Sequence, residues 1–245
     1  HGAPCHYAVK NYHRPDLKTK KTSSIEFAAD LFCKGGFMRL ALLLRGFIMA
    51  SCILSLTLCV NVWGENVMQS AKGKKAVMII AQNNFRDEEL LKPKQILEKN
   101  GVAVTVASSS LKESTGMLGA KVRPDILFTT IKVSDFDAIV FVGGSGSMEY
   151  WDNPTAHKIA TEANIANKTI GAICIAPVTL AKAGLLKGKK ATTYSSTIND
   201  IKACGAVYTG ADVERDGNIV TASGPAAAQK FGETLVRALT ESGEK

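Results

Sequence analysis

Past residue 13 this sequence holds one histidine, His157, and past residue 59 it holds two of its six cysteines, Cys174 and Cys204. A zinc site gathers three or four such ligands, so neither a metal nor a cofactor is expected in the main body of the chain. There is no CxxC pair, and two thiols cannot build a disulfide framework. Aromatic residues make up only 7% of the chain, and no stripe of Lys and Arg is interleaved with them. The formal charge of +8 is also local: residues 1–45 carry eight Lys/Arg against three Asp/Glu, which leaves +3 for the remaining 200 residues. A nucleic-acid partner is therefore not expected. No internal repeat is present. At 245 residues and 46% hydrophobic, the chain has room for one large domain or two small ones.

What is present falls into four stretches. Residues 1–37 begin with His and show no sustained period, so they are set aside as a disordered or non-native leader. From Met38, two arginines (Arg39 and Arg45) and an uncharged run over residues 46–63 lead to Val62-Trp63-Gly64 before Glu65. Residues 38–64 thus read as a signal peptide, which would make the protein exported, either periplasmic or secreted. An uncleaved membrane anchor is the close competitor, since 18 uncharged residues just span a bilayer. A cytoplasmic protein starting further downstream is the third reading, and any membrane contact is confined to residues 38–64. Residues 65–74 form a polar linker. The domain proper is expected at 75–242.

Within that domain, apolar runs alternate with helical patterns. Strands are expected at 76–81, 102–107, 136–142, 169–173 and 190–194, with a polar loop at 82–86 and an irregular stretch at 108–130. Asp87, Glu88 and Glu89 open a helix that Gly101 ends, with Pro93 tolerable only near its first turn. Further helices are expected at 155–166, after residue 174, at 198–203 and at 226–239. Residues 207–214 and 218–222 read as a hairpin closed by Arg215-Asp216-Gly217. Strands apolar on both faces, joined by helices, predict an α/β fold with a doubly wound, mostly parallel sheet. Ligands in such sheets sit beyond the carboxyl ends of the strands. That edge receives Glu89, the pair Gly143 and Gly144, and Cys174.

The stretch Thr169-Ile170-Gly171-Ala172-Ile173-Cys174-Ile175-Ala176-Pro177 is a strand-to-helix elbow. Free N–H groups and the positive end of the new helix favour a thiolate there, which makes Cys174 a candidate nucleophile. On the elbow alone, a small buried hydrophobe is an equal reading. Cys204, near the end of a short helix, reads as a buried structural thiol.

Phe85-Arg86-Asp87-Glu88-Glu89-Leu90 with Pro93, Phe136-Asp137-Ala138 leading to Val142-Gly143-Gly144, and Ala172-Ile173-Cys174-Ile175-Ala176-Pro177 together resemble the ThiJ/PfpI superfamily. Gly184-Leu185-Leu186-Lys187-Gly188, Thr193-Tyr194 and Asp216-Gly217-Asn218 extend the resemblance, which covers residues 74–239. That superfamily includes the parkinsonism-associated deglycase and intracellular peptidases of thermophilic archaea. The resemblance implies a flavodoxin-like, class I glutamine amidotransferase-like sheet sandwiched by helices. It also implies that Cys174 is the nucleophile, that Glu89 lies beside it, and that Tyr194 stands near both. The amides of Gly144 and Ile175, with Gly143, would form an oxyanion and substrate pocket.

Glu89 could instead be a solvated first-turn acid, a reading that Asp87 and Glu88 fit better. Peptidase-like members carry histidine directly after the nucleophile, where this chain has Ile175. The implied activity is therefore first a glyoxalase or deglycase acting on a small aldehyde or a modified protein. A redox-sensing stress protein or chaperone working through Cys174 oxidation comes next, and a cysteine peptidase last. A homodimer is implied by resemblance alone. Export sits uneasily with a reactive thiol, which an oxidising compartment consumes unless the sulfur is sheltered.

Overall fold

The computed structural model describes residues 71–241; the leader and the segment at 38–64 lie outside them. No helix among the described residues is long and apolar enough to cross a membrane.

The apolar run after the linker is strand β1 (Lys75–Ile80), fully buried from Ala76 onward because both faces of the sheet are covered. Strand β2 (Asn83–Phe85) and helix α1 (Asp87–Lys99) follow, then β3 (Ala103–Ser108), β4 (Ser114–Gly116), β5 (Lys121–Val122), β6 (Ile126–Leu127) and β7 (Ala138–Phe141). The second half is α2 (Pro154–Ile165), β8 (Thr169–Ile173), α3 (Pro177–Lys182), β9 (Lys190–Ala191), α4 (Ile198–Ala203), β10 (Val207–Tyr208), β11 (Val213–Asp216), β12 (Ile219–Ala222) and α5 (Ala228–Glu241).

Seven strands form one sheet in the order β11-β12-β8-β7-β1-β3-β6, and every neighbouring pair is parallel except the β11–β12 hairpin. The chain runs outward from β1 to β3 and β6, then returns to β7 on the other side of β1. The crevice between the carboxyl ends of β1 and β7 is thus the switch point where such sheets place their ligands.

Alternate residues of each strand point to opposite faces. Met78, Ile80, Val106 and Val140 pack with Leu90 and Leu97 of α1 and Phe231 and Leu235 of α5. Val77, Ile79, Ile139 and Ile170 pack with Ile159 of α2, Leu180 of α3 and Ile201 of α4 on the other face.

Several expectations are corrected. The polar loop at 82–86 contains β2, which pairs with β4 and, through it, β5 in a separate small sheet within the stretch expected to be irregular. Only Lys190–Ala191 of the 190–194 run is strand, and it pairs in parallel with β10 rather than joining the main sheet. Val207 and Tyr208 therefore belong to that two-stranded sheet, and the hairpin begins at Val213.

Pro93 lies well inside α1 rather than in its first turn, so no N–H at position 93 reaches the carbonyl of Glu89. Pro93 is buried against α5 at Gly232, where a methyl group would stand 2.9 Å from Pro93 Cα. Bare glycine sets that helix–helix spacing. Gly232→Val should lower the unfolding free energy by about 1–3 kcal/mol in urea titration through overpacking. An unchanged midpoint would show that α5 can back away freely.

Candidate active site

The sheet reaches its tightest turn at Cys174. Its φ is +64°, a left-handed conformation that costs a side-chain-bearing residue about 1–3 kcal/mol. Hydrogen bonds on both sides hold it there. The Cys174 N–H donates to the Ala222 carbonyl of β12 at 2.9 Å. The Cys174 carbonyl accepts from Thr193 Oγ1 at 2.8 Å and from the Tyr194 N–H at 2.9 Å. Helix α3 starts only at Pro177, so the donors acting directly on the sulfur are the amides of Gly144 and Ile175.

Glu89, in the first turn of α1, has no solvent exposure and points into the same spot. Neither carboxyl oxygen has a partner in good hydrogen-bond geometry. The Cys174 thiol and the Gly143 amide are still near enough to pull its pKa down, so their effect is electrostatic attraction short of a formed bond. Burial outweighs that pull and raises Glu89 to about 8, which leaves it neutral at pH 7. Burial, then the charge Glu89 would carry, also pushes the Cys174 thiol up to about 12, against the two amides.

The resting thiolate expected from the elbow is therefore corrected. Near neutrality the two groups share at most one negative charge and titrate as a pair.

Gly143 is the wedge between them. A methyl group there would overlap Glu89 Oε2, the Cys174 Cβ and the Ile173 carbonyl. Gly144, with φ +96°, is pressed against the backbone of Asn84 and Arg86, and the Arg86 N–H donates to the Gly143 carbonyl at 3.0 Å. A side chain at Gly143 would push sulfur and carboxyl apart, and one at Gly144 would displace the loop that leads into α1.

The sulfur is not sealed in. Cys174 is 8% exposed and lines a cavity of about 540 Å³ together with Gly144, Ile175 and Tyr194. Tyr194 is 44% exposed and stands at the rim, its ring against Gly224. The structure thus brings Cys174, Glu89, Gly143, Gly144, Ile175 and Tyr194 to one place.

Other lining residues were missed in the sequence: Met117, Met148, Trp151, Thr197 and Asp200. They come from loops and short helices whose position no periodic pattern sets, although Trp151 bonds the Ile175 carbonyl through Nε1 at 3.1 Å. Arg86 also lines the cavity, its guanidinium held by Glu88.

Asp87 is not the solvated acid expected. It is buried and accepts the N–H groups of Leu118 and Ala120 at 2.8 and 2.7 Å, which ties α1 to the small sheet. Cys204 is half-buried rather than buried. His157 contacts the Trp151 carbonyl at 2.7 Å and does not line the cavity. Among the described residues no group of three His, Cys, Asp or Glu is placed to hold a metal.

A flavodoxin-like parallel sheet with a cysteine on a left-handed elbow and a neutral carboxyl beside it defines a class: the class I glutamine amidotransferase-like α/β proteins with a nucleophile elbow. Within that class the chain belongs to the DJ-1/PfpI family, which its residues 74–238 match. An uncharacterized protein of Methanocaldococcus jannaschii is 41% identical over 179 residues, covering 72% of this chain and 87% of its own. A deglycase of Pyrococcus horikoshii is 32% identical, covering 66% of this chain and 98% of its own. The crystal structure of a ThiJ/PfpI domain protein from Brachyspira murdochii superimposes with a TM-score of 0.68 at 30% identity, covering 69% of this chain and 98% of that one.

The burial of Glu89 has a measurable cost. Its pKa rises from 4.5 to about 8 on folding, so between those pH values the unfolded chain releases a proton that the folded chain keeps. Stability is full below about pH 4.5 and falls as pH rises toward 8, by up to about 1.4 kcal/mol per unit. Glu89→Gln cannot titrate. In urea titrations at pH 5 and pH 8 it should gain at least about 1 kcal/mol on the wild type. Parallel loss in both proteins would mean that Glu89 ionises freely.

Proposed function

We propose that this protein is a cysteine-dependent enzyme of glyoxalase or deglycase type, acting on small reactive aldehydes or on the adducts they leave on proteins. One observation carries the reading: the free sulfur of Cys174 and the amides of Gly144 and Ile175 face one open cavity, with the unpartnered carboxyl of Glu89 buried beside the sulfur. Likeness to a relative named a deglycase supports it.

With methylglyoxal, the sulfur bonds to the aldehyde carbon and the thiol proton ends on the aldehyde oxygen, which gives a hemithioacetal. The two amides stabilise the charge that builds on that oxygen. Glu89 then takes the proton from the same carbon and delivers one to the neighbouring carbon, while a proton passes between the two oxygens, so a lactate thioester results. Water cleaves the carbon–sulfur bond, releasing lactate and restoring the thiol. One water is added overall, and no outside oxidant or reductant is consumed.

The active form has lost one of the pair's two protons. Its population rises as pH increases through the value of about 8 set by the burial of Glu89. The dependence of kcat/KM on pH should therefore rise with an apparent pKa of about 8. Glu89→Gln should remove that inflection and cost about a hundredfold in rate. Cys174→Ala should abolish conversion of methylglyoxal to lactate in the absence of glutathione; undiminished turnover in that variant would end this reading.

The same geometry favours one second reading, a redox sensor. A neutral carboxyl with two unpartnered oxygens can donate a hydrogen bond to a sulfinate on Cys174, formed by two equivalents of peroxide with release of two waters. Mass spectrometry after mild peroxide should find two added oxygens on Cys174, and oxidation spread across the methionines Met117 and Met148 instead would count against it. Peptidase chemistry is the weakest fit. Ile175 occupies the position where histidine is needed, and among the described residues no imidazole lines the cavity to protonate a leaving amine.

A further inference from the structure

The carbonyl and N–H of one peptide lie in a plane and point in opposite directions, so fixing one fixes the other. The Cys174 carbonyl and the Ile175 N–H belong to the same peptide. That carbonyl is doubly held, by Thr193 Oγ1 at 2.8 Å and the Tyr194 N–H at 2.9 Å. Thr193 Oγ1 also lies 2.7 Å from Thr197 Oγ1, which in turn lies 3.1 Å from the Tyr194 carbonyl. Both threonines are buried, at 1% and 3% exposure, which limits competition from water for these bonds.

Each hydroxyl has one proton to give. If Thr193 donates to Cys174, Thr197 must donate to Thr193, because two lone pairs would otherwise face each other at 2.7 Å. If Thr193 donates to Thr197 instead, Thr197 turns to the Tyr194 carbonyl, and the Cys174 carbonyl loses a donor. The first arrangement uses the two shortest contacts. A carbonyl that accepts two hydrogen bonds also polarises its peptide, which strengthens the N–H at the far side as a donor.

We propose that Thr193 and Thr197 form a hydroxyl relay that holds and polarises the Cys174–Ile175 peptide, aiming the Ile175 N–H at the oxygen of a carbonyl bound over the sulfur. Both are positioning residues that act through this peptide. The activity arm of the test rests on the aldehyde chemistry proposed above; the spectroscopic arm does not.

Thr193→Val removes the hydroxyl and keeps the shape, whereas Thr193→Ser keeps the hydroxyl. Three quantities separate the outcomes: kcat and KM with methylglyoxal, the rate at which iodoacetamide alkylates Cys174, and the amide proton shift of Ile175 by NMR. Alkylation displaces iodide without forming an oxyanion, so the Ile175 N–H reaches it only through its pull on the sulfur, which the Gly144 amide shares.

For Thr193→Val, kcat should fall about tenfold, KM and the alkylation rate should stay within about twofold, and the Ile175 amide should move upfield. Thr193→Ser should restore all three, and Thr197→Val should fall between. Parallel loss of alkylation and turnover would overturn the relay, since Thr193 would then only keep the elbow folded. An unmoved Ile175 resonance would overturn it as well. If the wild type fails to turn over methylglyoxal, the aldehyde reading falls alone. The relay then stands if the Ile175 shift moves at constant alkylation rate, and falls if it does not.

Discussion

The structure depends on one strained peptide. Cys174 leaves β8 in a left-handed turn, and the cost of that turn is offset by bonds from elements far apart in the chain: Ala222 on β12, and Thr193 and Tyr194 from the strap after β9. Because β8 lies between β7 and β12, the sheet order alone brings the Gly143 turn to one side of the cysteine and the Ala222 carbonyl to the other. An unstrained residue at 174 would send its side chain along the strand and away from the switch-point crevice. The strain is thus part of the site, held by a scaffold that over-determines it.

The second constraint is the buried acid. A carboxyl with no exposure and no formed hydrogen bond opposes folding, and a protein selected for stability alone would replace it with an apolar residue. Its surroundings are built around it all the same. Asp87 anchors the start of α1 to the small sheet, Pro93 and Gly232 fix the distance of α1 from α5, and Gly143 vacates the space between acid and sulfur. Glu89 is left with no solvent exposure. Coupling to the sulfur follows: the charge Glu89 would carry raises the cost of ionising Cys174, whereas the protonated thiol eases ionisation of Glu89, and burial keeps both protonated near neutrality.

Much of this was legible in the sequence, for physical reasons that also mark where legibility stops. Strands β1, β7 and β8 are covered on both faces, so they read as unbroken apolar runs, and the elbow stood out where such a run met cysteine and then proline. Helix α4 was read with its observed bounds. The roles of Asp87 and Glu89 were not separable by composition, because three consecutive acids look alike until the helix phase and the β4–β5 turn decide which is buried.

The strap at Thr192, Thr193 and Tyr194 reads as strand in the sequence because β-branched and aromatic residues favour strands. Two of its bonds instead join a threonine hydroxyl to backbone, at Thr192 and Thr193, and these leave no period in the sequence. The thiolate expectation failed for a related reason: the pattern locates a helix start but not the depth of the sulfur beneath the surface.

The two constraints together bear on which chemistry suits the site. Amide hydrolysis requires a proton delivered to a departing amine, a task that a mobile imidazole beside the nucleophile performs in Cys-His enzymes. Here the neighbouring side chain is Ile175, and the carboxyl packed beside the sulfur is the rigid, enclosed Glu89. Addition of a thiol to an aldehyde expels nothing. It needs one proton removed from sulfur, one supplied to oxygen, and afterwards a base facing the adjacent carbon. A neutral carboxyl locked next to the sulfur, with two fixed amides opposite, matches that shorter list of transfers. The same rigidity that would stall a peptidase favours a reaction whose reacting atoms scarcely move.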